Sequence, residues 1–155
     1  MYLEALGWLQ ESPLGAWARS GGWAYAATNS LHVLGAALVL GSIAVFDVLV
    51  LSRRGADAVG AARAAVPLAA FGLLLQLGTG FVLLAADARA TGVNPAFLAK
   101  VALIALGLLN VAAIHLRFGA AWRGGFPAHD VRLYGLASLA IWTLVLLAGR
   151  LIAYV

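Results

Sequence analysis

Four long apolar stretches make up most of the chain, at roughly residues 23–51, 64–86, 95–116 and 131–155. Each has about 20 residues or more, which is the length of helix that crosses about 30 Å of hydrocarbon. Backbone polar groups inside a bilayer must be paired within the protein, so we predict that all four stretches are helices. The predicted fold class is all-α, an integral membrane four-helix bundle whose single domain covers residues 1–155.

Two boundaries of these stretches carry proline. Pro67 is predicted to lie in the first turn of the second span, where its missing N–H costs no hydrogen bond. Asn94 and Pro95 form a cap followed by proline, which predicts the start of the third span.

Residues 1–22 precede the first span and have a different pattern. Leucines recur at helical spacing before Ser12 and Pro13, a capping residue followed by proline that typically begins a new helix. Tryptophan prefers the headgroup level of a membrane, and three tryptophans lie in or next to this segment: Trp8, Trp17 and Trp23. We predict two short amphipathic helices on the outer membrane surface, which either anchor the protein or dock a partner.

The composition supports a lipid bilayer as the surroundings of the chain. Of its 155 residues, 64% are hydrophobic and 10% are charged, whereas soluble domains have about 25% charged residues. The net charge of +4 is spread too thinly for a nucleic-acid-binding patch. The chain has no cysteine, which excludes disulfides, thiolate metal sites and iron–sulfur clusters.

Arginines predict the orientation of the spans. Six lie in the loops after spans one and three, and only Arg19 and Arg89 lie on the opposite side. Loops rich in basic residues stay in the cytoplasm, so both termini are expected outside, in the periplasm, with the protein in a bacterial inner membrane. The six arginines are Arg53, Arg54, Arg63, Arg117, Arg123 and Arg132.

Ionisable residues inside spans are costly and often mark a functional site. His32, Lys100 and Arg150 are expected in the outer half of the membrane, together with the small residues Gly78 and Gly80. A neutral histidine can bind a haem iron, the glycines leave room for a flat macrocycle, and the two cations can pair with haem propionates. Lys100 is alternatively a second axial ligand. The residues also fit a hydrogen-bonded core histidine and two cations that extend to the interface.

Asp47 and His115 are expected near the cytoplasmic side of the bundle. His32 and His115 differ in depth by on the order of 15 Å, so they are not expected to hold the same iron. Asp47 and His115 have similar depths instead, and we predict that they form a buried polar pair.

Segments 29–35 (NSLHVLG), 41–47 (GSIAVFD), 94–100 (NPAFLAK) and 148–154 (AGRLIAY) resemble an uncharacterised family of small four-span bacterial membrane proteins. The chain is more distantly similar to the HemJ-type protoporphyrinogen oxidases and to the copper-resistance protein D family, which share a histidine early in the first span. The HemJ type also has a lysine early in a later span, as at Lys100. This resemblance implies haem b and a haem-related role.

The sequence is therefore compatible with three functions. The first is a haem b-binding membrane protein with a redox or haem-handling role. The second is a non-catalytic accessory subunit of a larger membrane complex, or a homo-oligomer, because the chain is short and has no catalytic constellation. The third is copper or proton transport, although Cu(I) favours thiol and thioether ligands and Met1 is the chain's single methionine.

The predicted orientation can be tested by labelling single cysteines in a chain that has none of its own. Ala56→Cys and Gly124→Cys should both react with a membrane-impermeant thiol reagent applied from the cytoplasmic side. Reaction of either cysteine from the outer side contradicts the orientation.

Overall fold

A computed structural model describes residues 1–52, 55–119 and 130–155. Gly124 and three of the loop arginines, Arg53, Arg54 and Arg123, lie outside these ranges. The described helices, in chain order, are α1 (Tyr2–Glu11), α2 (Pro13–Arg19), α3 (Gly22–Leu51), α4 (Gly55–Ala86), α5 (Ala88–Val93), α6 (Pro95–Phe118) and α7 (Asp130–Leu151).

Four of these helices are long and apolar enough to cross a membrane. The apolar segments are Gly22–Leu51, Arg63–Ala86, Pro95–Phe118 and Val131–Leu151, with mean hydropathy between 1.8 and 2.4. The described residues contain no strand. The all-α prediction is confirmed, and the protein is a multi-pass membrane protein in a lipid bilayer.

The helix boundaries depart from the predicted spans in three places. α4 begins at Gly55, so Pro67 lies inside the helix and not in its first turn as predicted. The extra residues are rich in alanine, which favours helix even where the sequence is too polar for the membrane. α7 ends at Leu151, before the predicted end at residue 155, and the unpredicted short helix α5 follows α4.

The predicted caps at Ser12 and Asn94 are confirmed. The Ser12 side chain accepts a hydrogen bond from the Gly15 N–H, at 3.2 Å, where α2 begins. Asn94 Oδ1 accepts from the N–H groups of Ala96 and Phe97, at 2.9 and 3.2 Å, where α6 begins. These bonds satisfy N–H groups that the first turn of a helix leaves without intrahelical partners.

Helices α1 and α2 lie across one end of the bundle, which we call the near end; the opposite end is the far end. Arg19 Nη1 donates to the Ala86 carbonyl oxygen at 3.0 Å, at the last residue of α4. Tyr2 Oη donates to the Gly92 carbonyl oxygen of α5 at 2.9 Å. Trp8 and Trp23 are 80% and 72% exposed at this end, which suits indole rings at a headgroup layer.

α3 is the central helix of the four long ones. It packs against α4 on one side and α7 on the other, and α7 packs in turn against α6. Among the described residues, no comparable packing joins α4 to α6. The bundle therefore has a lateral gap between α4 and α6, which would face the lipid.

The contact between α3 and α4 depends on two glycines. A Cβ added to Gly72 would lie 2.8 Å from Leu38 Cβ and 3.0 Å from the Gly35 carbonyl oxygen. A Cβ added to Gly35 would lie 3.0 Å from the Gly72 carbonyl oxygen. Since backbone atoms cannot move aside as a flexible side chain can, each glycine lets the other helix approach closely.

We expect Gly72→Ala to lower the free energy of unfolding by about 1–3 kcal/mol, because the added methyl forces α3 away from α4. Gly41→Ala is the matched control, since a Cβ there meets no atom within 4 Å. Thermal unfolding in one detergent measures both variants. Equal stability of the two variants would contradict the proposed role of Gly72 in the contact between α3 and α4.

Candidate functional site

His32 lies at the centre of a polar cluster in the near half of the bundle. Its ring Nδ1 is 2.9 Å from Thr79 Oγ1 of α4, and its ring Nε2 is 3.2 Å from Lys100 Nζ of α6. Gln76 Nε2 donates to the His32 backbone carbonyl oxygen at 2.6 Å. The cluster thus joins three of the four spanning helices through hydrogen bonds.

The partners of the Thr79 hydroxyl indicate which ring nitrogen of His32 carries hydrogen. The Thr79 hydroxyl has one hydrogen, and it donates to the Leu75 carbonyl oxygen at 2.5 Å. Thr79 Oγ1 must therefore accept from His32, so that Nδ1 is the N–H donor. Nε2 is left with its lone pair, and Lys100 Nζ, which always carries hydrogen, donates to it.

Two glycines pack closely against this pair. A Cβ added to Gly80 of α4 would lie 3.1 Å from His32 Cε1, and a Cβ added to Gly149 of α7 would lie 3.1 Å from Lys100 Nζ. Larger residues at either position would push the ring or the amine out of place. The structure thus brings together three of the residues selected from the sequence: His32, Lys100 and Gly80.

Gly78 and Arg150 lie away from this cluster. Gly78 is exposed, and a Cβ added there would meet no atom within 4 Å. Arg150 is also exposed; its Nη2 donates to Tyr154 Oη at 2.7 Å and its guanidinium lies over the Tyr154 ring. The fold holds both residues on the outer surface of the bundle, so they do not line the space beside His32.

Asp47 and His115 line one cavity in the far half of the bundle. His115 Nδ1 donates to the Val111 carbonyl oxygen at 2.8 Å, within α6. The Asp47 carboxylate accepts no hydrogen bond of normal geometry from the described residues. The two residues share a depth and a cavity, as their sequence positions suggest, without a hydrogen bond between them.

Three residues of the near cluster were not selected from the sequence as site residues: Gln76, Thr79 and Gly149. The first two had a usable signal, because two polar side chains three residues apart share one face of an otherwise apolar helix. No pattern in the sequence indicates Gly149, since its role depends on how closely α7 approaches Lys100.

The fold and the near cluster define a multi-pass α-helical membrane protein with a histidine–lysine pair between its spans. Comparison with known proteins finds no matching family model, no similar curated protein and no similar solved structure.

The hydrogen-bond directions predict a specific NMR signature for His32. In protein purified without added hemin, ¹⁵N-histidine spectra should show Nδ1 protonated and Nε2 unprotonated, with the resonances assigned through a His32→Gln variant. Thr79→Val should reduce the Nδ1–H form because it removes the acceptor, whereas Thr79→Ser should keep it. A protonated Nε2 in the wild type would contradict the assignment.

Proposed function

We propose that this chain is a haem b-binding membrane protein with a redox or haem-handling role, in which His32 is an axial ligand of the iron. The observation that carries the proposal is the orientation of the His32 ring. Its Nδ1–H is anchored on Thr79, and its Nε2 lone pair points away from α4 towards Lys100.

This orientation is the one that metal-binding histidines commonly have. Such a histidine donates its other ring N–H to an oxygen of the protein, which fixes the tautomer and makes the ligating nitrogen more basic. Thr79 supplies that oxygen here, and the Thr79 bond to the Leu75 carbonyl holds the hydroxyl itself in place. Thr79 and Leu75 both belong to α4 and lie one helical turn apart.

Lys100 has two possible parts in this site. Its Nζ lies 3.2 Å from the Nε2 that would bind iron, and a neutral Lys100 amine that moved off this nitrogen would be a second axial ligand. A charged Lys100 would instead hold a haem propionate. Arg150 is directed towards Tyr154 and supports neither role in the described arrangement.

The residues of the pair and its neighbours suit a tetrapyrrole by their chemistry. His32 and Lys100 supply nitrogen donors, and Gly80 and Gly149 keep side-chain bulk away from them. The gap between α4 and α6 leaves this side of the bundle free of helix packing among the described residues. Haem iron supplies one-electron chemistry when bound.

We also propose a cellular location for the protein. Arginine asymmetry supports a bacterial inner membrane with the near end on the periplasmic side, since Arg63, Arg117 and Arg132 all belong to the far end. Other subunits of a membrane complex or a second copy of the chain remain proposed partners. The accessory-subunit role is the alternative if no haem binds.

The test is a visible spectrum of the protein purified in detergent, before and after reconstitution with hemin. Wild-type protein should show a Soret band, and His32→Ala should lose most of it. Thr79→Val should weaken hemin binding by about tenfold, as removal of a partner of a metal ligand typically does. Gly80→Leu should reduce occupancy because its side chain would push the His32 ring out of place.

The controls use polar residues outside the near cluster. His115→Ala and Arg150→Gln should keep the Soret band, since His115 hydrogen-bonds to Val111 and Arg150 to Tyr154, both outside the near cluster. Lys100→Ala separates the two roles of the lysine: a change of spin state indicates an axial ligand, and a weakened but unchanged spectrum indicates a propionate partner. Well-folded wild-type protein that takes up no hemin would contradict the proposal.

A further inference from the structure

The far half of the bundle contains a cavity of about 190 Å³ among α3, α4, α6 and α7. Its walls are mostly aliphatic and aromatic, with contributions from Val39, Phe46, Leu73, Leu108 and Ile114. A water molecule occupies about 30 Å³ of liquid, so the space is large enough for a small organic group. The cavity is separate from the near cluster, because Asp47 lies 15 residues beyond His32 on α3, roughly 22 Å along the helix axis.

Unpartnered polar atoms of three buried side chains belong to the lining of this cavity. Both carboxylate oxygens of Asp47, the hydroxyl of Ser42 and the indole N–H of Trp142 have no hydrogen-bond partner among the described residues. Asp47 is only 1% exposed. Buried polar groups are normally paired, so three unpaired ones around a single cavity point to a ligand.

Two residues of α7 lie near Asp47, but neither supplies the missing hydrogen bond. Ser138 lies beside the carboxylate without a hydrogen bond of normal geometry. A Cβ added to Gly135 of α7 would be in ordinary contact with Asp47 Oδ1, at 3.7 Å. His115 lines the same cavity, but neither carboxyl oxygen of Asp47 has a hydrogen-bond partner among the described residues, so the carboxyl group faces a mostly apolar space.

From these groups we propose that the cavity binds an amphiphilic organic monocation, such as a primary ammonium attached to an aromatic or aliphatic body. The ammonium would donate to Asp47, and the aromatic rings of Phe46 and Trp142 line the same space and attract cations. The apolar walls would contact the body of the ligand.

The donor set disfavours the other occupants. Hard metal cations take about six oxygen ligands, and the described lining offers one carboxylate and two serine hydroxyls. No group of three histidine, cysteine or acidic residues able to hold a metal occurs in the described ranges. Water alone needs two to four polar partners per molecule, more than these walls supply for a filled cavity.

The position of the cavity gives such a ligand a route from the bilayer. Residues of both α4 and α6 line the cavity, although these helices do not pack closely against each other. Val66 of α4 and Leu108 of α6 belong to the lining and are 40% and 41% exposed, so the cavity is not closed on this side. An amphiphilic cation dissolved in the lipid would therefore reach Asp47 sideways, through the gap between α4 and α6.

Phenethylammonium is the probe, and binding to the full chain in nanodiscs is measured by equilibrium dialysis at neutral pH. Saturable binding to the wild type should weaken at least about tenfold in Asp47→Asn, which keeps the shape and removes the charge. Asp57→Asn removes an exposed carboxylate elsewhere and should leave binding unchanged. The neutral analogue 2-phenylethanol should bind Asp47→Asn and wild type alike.

Ala69→Phe tests the cavity without altering Asp47. Ala69 lines the cavity, so a phenyl ring there should abolish binding, whereas Ala102→Phe on the exposed face of α6 should not. This pair keeps the proposal falsifiable if Asp47→Asn fails to fold. Wild-type protein without saturable binding, equal binding by Asp47→Asn, or sodium that binds at Asp47 where phenethylammonium does not would each overturn the proposal.

Discussion

A membrane interior offers no water to polar side chains, so each one must find its partner within the protein or in a bound ligand. This bundle has two polar layers, the near cluster around His32 and the far cavity around Asp47, and they meet that constraint in different ways. Around His32, the ring nitrogens, the Thr79 hydroxyl and the Lys100 amine are connected in one chain of hydrogen bonds. Around Asp47, the carboxylate faces an apolar cavity and has no described partner. The polar groups of the near layer are therefore hydrogen-bonded to one another, whereas the carboxyl group of the far layer lacks a partner among the described residues.

Both layers depend on the central position of α3. Gly35 and Gly72 let α4 approach α3 closely, and this contact lies between the two layers. It places Gln76 and Thr79 beside His32, because they follow Gly72 by one and two turns of the same helix. On its other side α3 packs against α7, which leaves α4 and α6 apart. The same packing thus forms the near cluster and opens the lateral gap.

Much of this arrangement can be predicted from the sequence, because depth in a membrane follows from residue number. Hydropathy located the four spans, and equal depth placed Lys100 with His32 and His115 with Asp47. The rotation of each helix about its axis is less predictable, since it depends on packing between helices. For that reason Arg150 faces outwards although its depth is suitable, and the partnership of Thr79 with His32 was not predicted.

The separation of the two layers also decides how their charges can be compensated. Asp47 and Lys100 lie roughly 22 Å apart in depth, by the rise of 1.5 Å per residue. At an effective dielectric constant of about 20, opposite unit charges at that distance attract by only about 0.8 kcal/mol. That is far too little to offset the burial of either ion. Each layer must therefore be neutralised where it lies, by protonation or by a partner of its own, so the proposed roles of the His32–Lys100 pair and of Asp47 are independent of each other.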